Sequence, residues 1–420
     1  MKILALIALF IASILGSIYL RLIFTLPLVS LGLTMLLWAF FNRNLKNKSI
    51  FLITVNAGAV VLCAGSALTL LNAMESLRPA THPIRRTYTA DYGTPKTEGA
   101  WLSSPSEPLG YRYKQGLAPM RSRLIEENSG NVIYDVTYTF DSKGLRRTPD
   151  QYKTPPRKAL FLGGSFTFGE GLEDSQTLPS KFAQSTGWYS INAGMHGYGS
   201  HQALQSLRDQ GTYRRLTAGS HIDLIVYRVM NDHANRAAGM SEWDKYGPCF
   251  TVSNIGLIQY EGSFVKCKNR VNLKNYFQKL LSFLTKTKEP FSRSVVQRMN
   301  EAFFRDHAER RQVAIIVEMQ KLAELRKSHF VVVNETVMAP TTKSSSSMNN
   351  ECQIDPRMLL LTSHLTKRGI DVINTHEIYS KSDCSTDILA IPDDGHPSEY
   401  ANSKVAAELL TTLRKAGLDL

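Results

Sequence analysis

From residue 158 to the C-terminus the chain alternates between two hydrophobic periods, and this restricts its fold more than any other feature. Short apolar runs fit strands near 159–163, 188–192, 222–229, 329–334 and 370–374. Between them, helical spacing fits stretches near 176–186, 201–209, 273–286, 302–327, 355–368 and 398–416. Strands this apolar are buried on both faces, and the intervening helices supply the cover. The expectation is an α/β domain with a parallel sheet between two helical layers. Ligands bind such sheets at the carboxyl ends of the strands. The first of these strands ends at Gly163, Gly164 and Ser165, with Gly169 and Gly171 close behind. Glycines around a lone serine let the backbone turn sharply and leave the hydroxyl exposed, which suits a nucleophile. Alone, the block reads equally as a glycine-rich turn with a capping serine.

Three later blocks complete a set. Asn192, Gly194, His196, Gly197 and Gly199 follow the second strand, Met230, Asn231 and Asp232 follow the third, and Asp393, Asp394 and His396 precede the last helix. Acyl transfer needs a nucleophile, a base, a group that orients the base, and donors for the developing oxyanion. Ser165 supplies the hydroxyl and His396 can take its proton. Asp393, three residues before His396, can reach the other imidazole nitrogen, with Asp394 as its competitor. The backbone N–H groups of Ser165 and Gly197 and the Asn231 amide can form an oxyanion hole; Gly194 and Gly199 compete with Gly197. His196, His201 and His233 are expected to border the cleft, because no carboxylate stands at local spacing to orient them. Asp232 is expected to cap its loop. The histidines lack paired i, i+3 or i, i+4 spacing with carboxylates, so no metal is expected, and the expected chemistry calls for no cofactor.

The four blocks, in this order, resemble those of the SGNH (GDSL-like) hydrolase family. That family's blocks centre on a Ser, a Gly, an Asn and a His, with an Asp three residues before the His. The resemblance runs from about residue 158 to the C-terminus. It implies a three-layer α/β/α, flavodoxin-like hydrolase domain with catalytic Ser165, Asp393 and His396 and an oxyanion hole of Ser165, Gly197 and Asn231. It favours Asp393 over Asp394 and Gly197 over Gly194. Two positions depart from the pattern: Gly164 stands where the family usually has Asp, and Met230 where it usually has Gly. Neither departure removes a residue that does chemistry.

The N-terminal part has a different character. Residues 3–20, 22–41 and 50–74 are almost wholly apolar, and crossing a hydrocarbon core takes about 20 such residues. Three transmembrane helices are expected. The first run is too long, and the second follows too soon, for a cleaved signal peptide. Arg43, Lys46 and Lys48 lie between the second and third runs, whereas the first turn has only Arg21. The positive-inside rule then puts residues 42–49 in the cytoplasm and everything after residue 75 outside. This corresponds to a bacterial inner-membrane protein facing the periplasm. Cys249, Cys267, Cys352 and Cys384 all fall in that external part. An even number there suits two local disulfides, Cys249–Cys267 and Cys352–Cys384. Four buried free thiols are the alternative.

The expected organisation is a membrane anchor (1–75), a linker (76–100), a small β-rich lead-in (101–157) and the hydrolase domain (158–420). Within the lead-in, 131–140 reads as a strand, 141–144 as a turn and 145–148 as a return strand. Residues 341–350, with four serines in a row, read as a loop. The net charge is +13, and the basic pairs at 85–86, 146–147, 214–215 and 310–311 are scattered. Outside the cytoplasm this excludes nucleic acid as a partner. It favours anionic lipid headgroups or an anionic glycan, alongside an ordinary solvated basic surface.

The expected function is a membrane-anchored serine esterase that removes O-acyl groups, acetyl among them, from a cell-envelope polysaccharide through an acyl-enzyme. The substrate partner is then an acylated glycan or lipid ester, and residues 1–75 contact membrane lipid. The same serine could hand its acyl group to a sugar hydroxyl, as an O-acyltransferase does. A lysophospholipase or thioesterase also suits a membrane anchor. The non-enzymatic alternative is an inactive glycan-binding protein, against which stands the complete set of Ser165, His396, Asp393 and Asn231.

Overall fold

The computed structural model describes residues 84–90, 102–106, 108–126, 129–149, 157–253, 256–267, 291–337, 352–384 and 388–418, with isolated positions between 33 and 59. The three apolar runs lie almost entirely outside the described residues, as do the expected helix at 273–286 and the serine loop. Among the described residues no helix is long and apolar enough to cross a membrane. The chain divides into two compact units: residues 1–81 with 276–296, and residues 82–275 with 297–420. The second holds every element that positions the site.

Its first part is antiparallel. Strands β1 (Ile84–Ala90), β4 (Met120–Glu126) and β5 (Val132–Tyr138) form one sheet, and β2 (Leu102–Ser106) pairs with β3 (Gly110–Tyr113). Strand β1 falls where a linker was expected; its Thr and Tyr residues suit a strand, and it pairs along its whole length with β4. Along β4, Met120, Ser122 and Leu124 are buried while Arg121 and Arg123 are exposed. This is the period of a sheet with one wet face. The expected return strand at 145–148 does not form. The chain does turn back at Asp141, whose carboxylate accepts from the N–H groups of Lys143 and Leu145, but the return is limited to one antiparallel bridge, Arg146 opposite Phe140, with N–H···O bonds from Asp141 to Leu145 and from Arg147 to Thr139.

The second part is the expected α/β sandwich. Strands β6 (Lys158–Gly163), β7 (Tyr189–Asn192) and β8 (Leu224–Val229) are followed by a hairpin, β9 (Pro248–Val252) with β10 (Ile258–Ser263), and then by β11 (His329–Asn334) and β12 (Asp371–Asn374). Five of these form a parallel sheet in the order β7-β6-β8-β11-β12. Numbered along the sheet's own strands this is 2-1-3-4-5, the flavodoxin-like order, which reverses direction between β6 and β8.

The helices are α1 (Ser165–Phe168), α2 (Leu178–Thr186), α3 (Ser200–Arg208), α4 (Gln210–Thr217), α5 (Asp232–Ala237), α6 (Phe291–Leu325), α7 (Pro356–Thr366), α8 (Thr375–Ile378), α9 (Lys381–Cys384) and α10 (Glu399–Lys415). Alternation along the strands sorts them into layers. Ala159, Phe161, Val226 and Val331 face α2 and α10 through Phe182, Leu409 and Leu413. Leu160, Leu162, Ile225 and Val332 face α3, α4, α6 and α7 through Leu204, Leu216, Met319 and Leu361. Each Val, Leu, Ile, Phe or Met side chain among them, when fully buried, contributes about 1.5–3 kcal/mol.

The expected boundary at 157/158 is not a boundary in packing. Tyr111, Tyr113, Tyr134 and Tyr138 of the lead-in share one buried cluster with Phe168, Met195, Tyr198 and Ile391 of the α/β part. The cysteines pair locally, Cys249 with Cys267 and Cys352 with Cys384.

Candidate active site

Strand β6 delivers the serine. Gly163 ends the strand at φ 152°, and a Cβ there would lie 2.2 Å from Thr167 Oγ1. Only glycine lets α1 start so close to the strand. Ser165 opens α1 and is half-buried beside the buried Gly164. Two buried arginines fix this short helix. Arg146 donates to the carbonyls of Phe168 and Gly169 at its C-terminal end and to Asp174 at 2.9 Å. Arg228, the charge inside apolar β8, donates to the carbonyl of Phe166 at 3.1 Å, to Asn402 at 2.7 Å and to Glu335 at 2.5 Å. The Arg146 side chain is fully buried, so this member of the scattered basic pairs is not a surface charge.

His396 reaches the serine from the loop before α10. Its Nε2 lies 2.8 Å from Ser165 Oγ, and its Nδ1 lies 2.6 Å from Asp394 Oδ2. The orienting carboxylate is therefore Asp394, where the spacing pointed to Asp393. The reason is the turn. Ile391 O accepts from the N–H groups of Asp394 and Gly395, and Asp393 takes a left-handed φ of 58°. This leaves Asp393 exposed and aims Asp394 inward, with its side chain 1% exposed.

Three glycines competed as oxyanion donors, and their N–H groups separate them. Gly194 N–H donates to Asn192 Oδ1 at 3.1 Å, and Gly199 N–H to Gln202 Oε1 at 2.8 Å. Gly197 N–H has no partner among the described residues, and Gly197 takes a φ of 74°. A Cβ on Gly197 would collide with Tyr111 Oη and Trp243 Nε1, at 2.6 and 2.7 Å. Asn231 follows β8 and donates one amide hydrogen to Asp355 Oδ2 at 3.4 Å, leaving its second for another acceptor. Burial pushes the Asp355 carboxyl up, but hydrogen bonds from Arg357 and Asn231 win and hold it below its ordinary value. It therefore anchors Asn231 as an anion. Asp232 is exposed and pairs with Arg236 at 3.7 Å.

The other three histidines have partners that local spacing could not reveal. His196 pairs through Nε2 with Glu170, 26 residues earlier, and through Nδ1 with Tyr113 Oη. Glu170 also accepts from Tyr134 at 2.9 Å and Tyr138 at 3.2 Å. Burial raises the Tyr113 and Tyr138 hydroxyls well above their ordinary pKa, so they stay donors. His201 Nε2 meets Asp244 Oδ2 at 2.6 Å with both side chains fully buried. His233 Nδ1 bonds Tyr227 Oη at 2.7 Å. Burial pushes His233 well below its ordinary pKa, with Arg236 adding to the effect, so it is neutral. Among the described residues no group of three or more His, Cys, Asp or Glu is arranged to hold a metal.

No protein-family model matches the chain, and no curated protein matches it. Among solved structures, it is similar to a GDSL-like lipase from Bacteroides thetaiotaomicron. The identity is 13% over 62% of this chain and 89% of that one, with a TM-score of 0.31. It is also similar to TesA, at 13% identity over 62% and 99% of the two chains and a TM-score of 0.33. A third is LAE5, an alpha/beta hydrolase from the metagenome of Lake Arreo, at 10% identity over 62% and 96% and a TM-score of 0.33. Likenesses of this size carry no weight for activity, which rests on the residues of the site itself.

Sequence reasoning missed Arg228, Asp355 and Trp243. Only Arg228 left a signal, as a lone charge inside an apolar strand.

Proposed function

We propose that this chain is a serine esterase of the SGNH type that removes O-acyl groups, acetyl among them, from a cell-envelope polysaccharide. The observation that carries the esterase reading is the hydrogen-bonded relay Ser165–His396–Asp394 at the sheet's switch point. His396 Nε2 takes the proton as Ser165 Oγ attacks the ester carbonyl, and Asp394 holds Nδ1–H and stabilises the imidazolium. The N–H groups of Ser165 and Gly197 and the second amide hydrogen of Asn231 receive the oxyanion. Losing one such donor costs about 2.7–4 kcal/mol of barrier. His396 returns its proton to the leaving alcohol, and a water then repeats the sequence to free the acid.

The envelope setting is supported by the three apolar runs, the basic 42–49 loop and the two disulfides, which persist in oxidising compartments. The full chain should hydrolyse p-nitrophenyl acetate, and Ser165→Ala should abolish this without lowering the melting temperature. A folded, active Ser165→Ala protein would sink the reading. Running the assay with sugar acceptors present separates hydrolysis from transfer.

A further inference from the structure

We propose that Trp243, with Arg236 beside it, is a stacking platform for a sugar ring of the substrate, on the alcohol side of the scissile ester. The inference rests on the esterase reading of Ser165. Trp243 is 60% exposed, yet it lies against the site: its Nε1–H donates to the Gly197 carbonyl at 3.5 Å. The Arg236 guanidinium lies over one face of the indole, 6.0 Å from its centroid, and donates to the Tyr198 carbonyl at 2.9 Å. A methyl group at Gly164, next to the nucleophile, would be 3.3 Å from Arg236 Nη1. Indole, guanidinium and the candidate oxyanion donor therefore share one edge of the cleft.

The segment that carries Trp243 is held rigidly. The next residue, Asp244, buries its whole side chain and accepts from Gln202 Nε2 at 2.7 Å while meeting His201 Nε2 at 2.6 Å. Gly247 packs so closely on that carboxylate that a Cβ would lie 2.3 Å from it. The Cys249–Cys267 disulfide closes the following hairpin. Two helix side chains and a buried carboxylate thus fix a turn whose indole faces solvent, which is a preorganised contact surface. This also gives the His201–Asp244 pair a role that the relay does not.

The chemistry selects the occupant. The carbon-bound hydrogens of a pyranose face carry slight positive charge and stack on the negative face of an indole, and Trp243, 60% exposed, keeps ring surface open to one although Arg236 lies over it. An acyl chain instead favours an enclosed apolar surface without a cation beside it.

The test uses the full chain. With Ser165→Ala, O-acetylated oligosaccharides derived from chitin, cellulose and xylan are titrated by calorimetry. Saturable binding to at least one is expected. Adding Trp243→Ala should weaken it about tenfold, or about 1.4 kcal/mol, whereas Trp243→Phe, which keeps a ring but loses the N–H, should stay within about threefold. No saturable binding, or binding unchanged in Trp243→Ala, overturns the proposal. With Ser165 intact, Trp243→Ala should lower kcat/KM on the bound oligosaccharide about tenfold relative to its effect on p-nitrophenyl acetate, mainly through KM. An equal fall on both esters, or a selective fall on p-nitrophenyl octanoate, also overturns it. Binding without hydrolysis of any ester would support the platform and defeat the esterase reading instead.

Discussion

Of the histidine–carboxylate pairs at this cleft, two, His396–Asp394 and His196–Glu170, make the sharpest contrast, and their chemistry in isolation is the same. What differs is the third partner. His396 turns its free nitrogen to Ser165 Oγ at 2.8 Å, at a half-buried position that a substrate can reach. His196 turns its other nitrogen to Tyr113, and Glu170 is closed in by Tyr134 and Tyr138. In the first pair a proton has somewhere to go. In the second every polar atom serves to dock the β-rich lead-in onto the loop that carries Gly197, with Tyr111 Oη adding a bond to the His196 carbonyl at 2.8 Å. A histidine–carboxylate pair is thus an engine or a rivet according to what lies beyond it.

The comparison can be broken by removing each carboxylate. Asp394→Asn should cut kcat on p-nitrophenyl acetate by about 10⁴-fold, as loss of the orienting carboxylate does in a triad, with little change in melting temperature. Asp393→Asn, at an exposed turn position, should stay within about threefold. If Asp393→Asn were the crippled variant, the loop would adopt another turn in solution.

Glu170→Ala should do the reverse. It leaves His196 and the Tyr134 and Tyr138 hydroxyls with a buried partner missing, so stability in urea should fall by about 3–5 kcal/mol, while kcat of the remaining folded protein falls less than tenfold. A 10³-fold loss of kcat with unchanged stability would make His196 part of the chemistry.

A smaller effect comes from the third cluster. His233 is held neutral by burial, with Arg236 and His201 adding to it, whereas in the unfolded chain it charges below about pH 6.5. Below that pH the unfolded state binds more protons, so this contribution to stability is complete above about pH 6.5 and is lost as pH falls. The slope is at most about 1.4 kcal/mol per pH unit. His233→Gln should flatten the melting-temperature profile between pH 7 and 5. A wild-type profile that rises toward acid would contradict the assignment.

The sheet was legible because its strands carry their own signature, a short apolar run between helical periods. Ser165 was legible through its glycines, and His396 through the loop before the last helix. The cysteine pairs were legible because each closes a short loop. The choice between Asp393 and Asp394 was not, since it depends on the hand of one turn, and a left-handed residue at 393 reverses which carboxylate points inward. Glu170 was hidden for another reason: it is 26 residues from His196, and only the folding of α1 against the β7 loop brings them together. The lead-in read as a separate segment because its inward tyrosines find their partners in Phe168, Met195 and Ile391, far along the chain.

The central claim is that, of the polar clusters at this cleft, only the one containing Ser165 reacts. A fluorophosphonate probe tests it directly, since it labels a serine only where a base and an oxyanion hole assist. Peptide mapping of the labelled full chain should find the adduct on Ser165, with the label lost in His396→Ala, strongly slowed in Asp394→Asn and unchanged in Asp393→Asn. An active protein left unlabelled at Ser165, or labelled there just as fast without His396, would contradict the account.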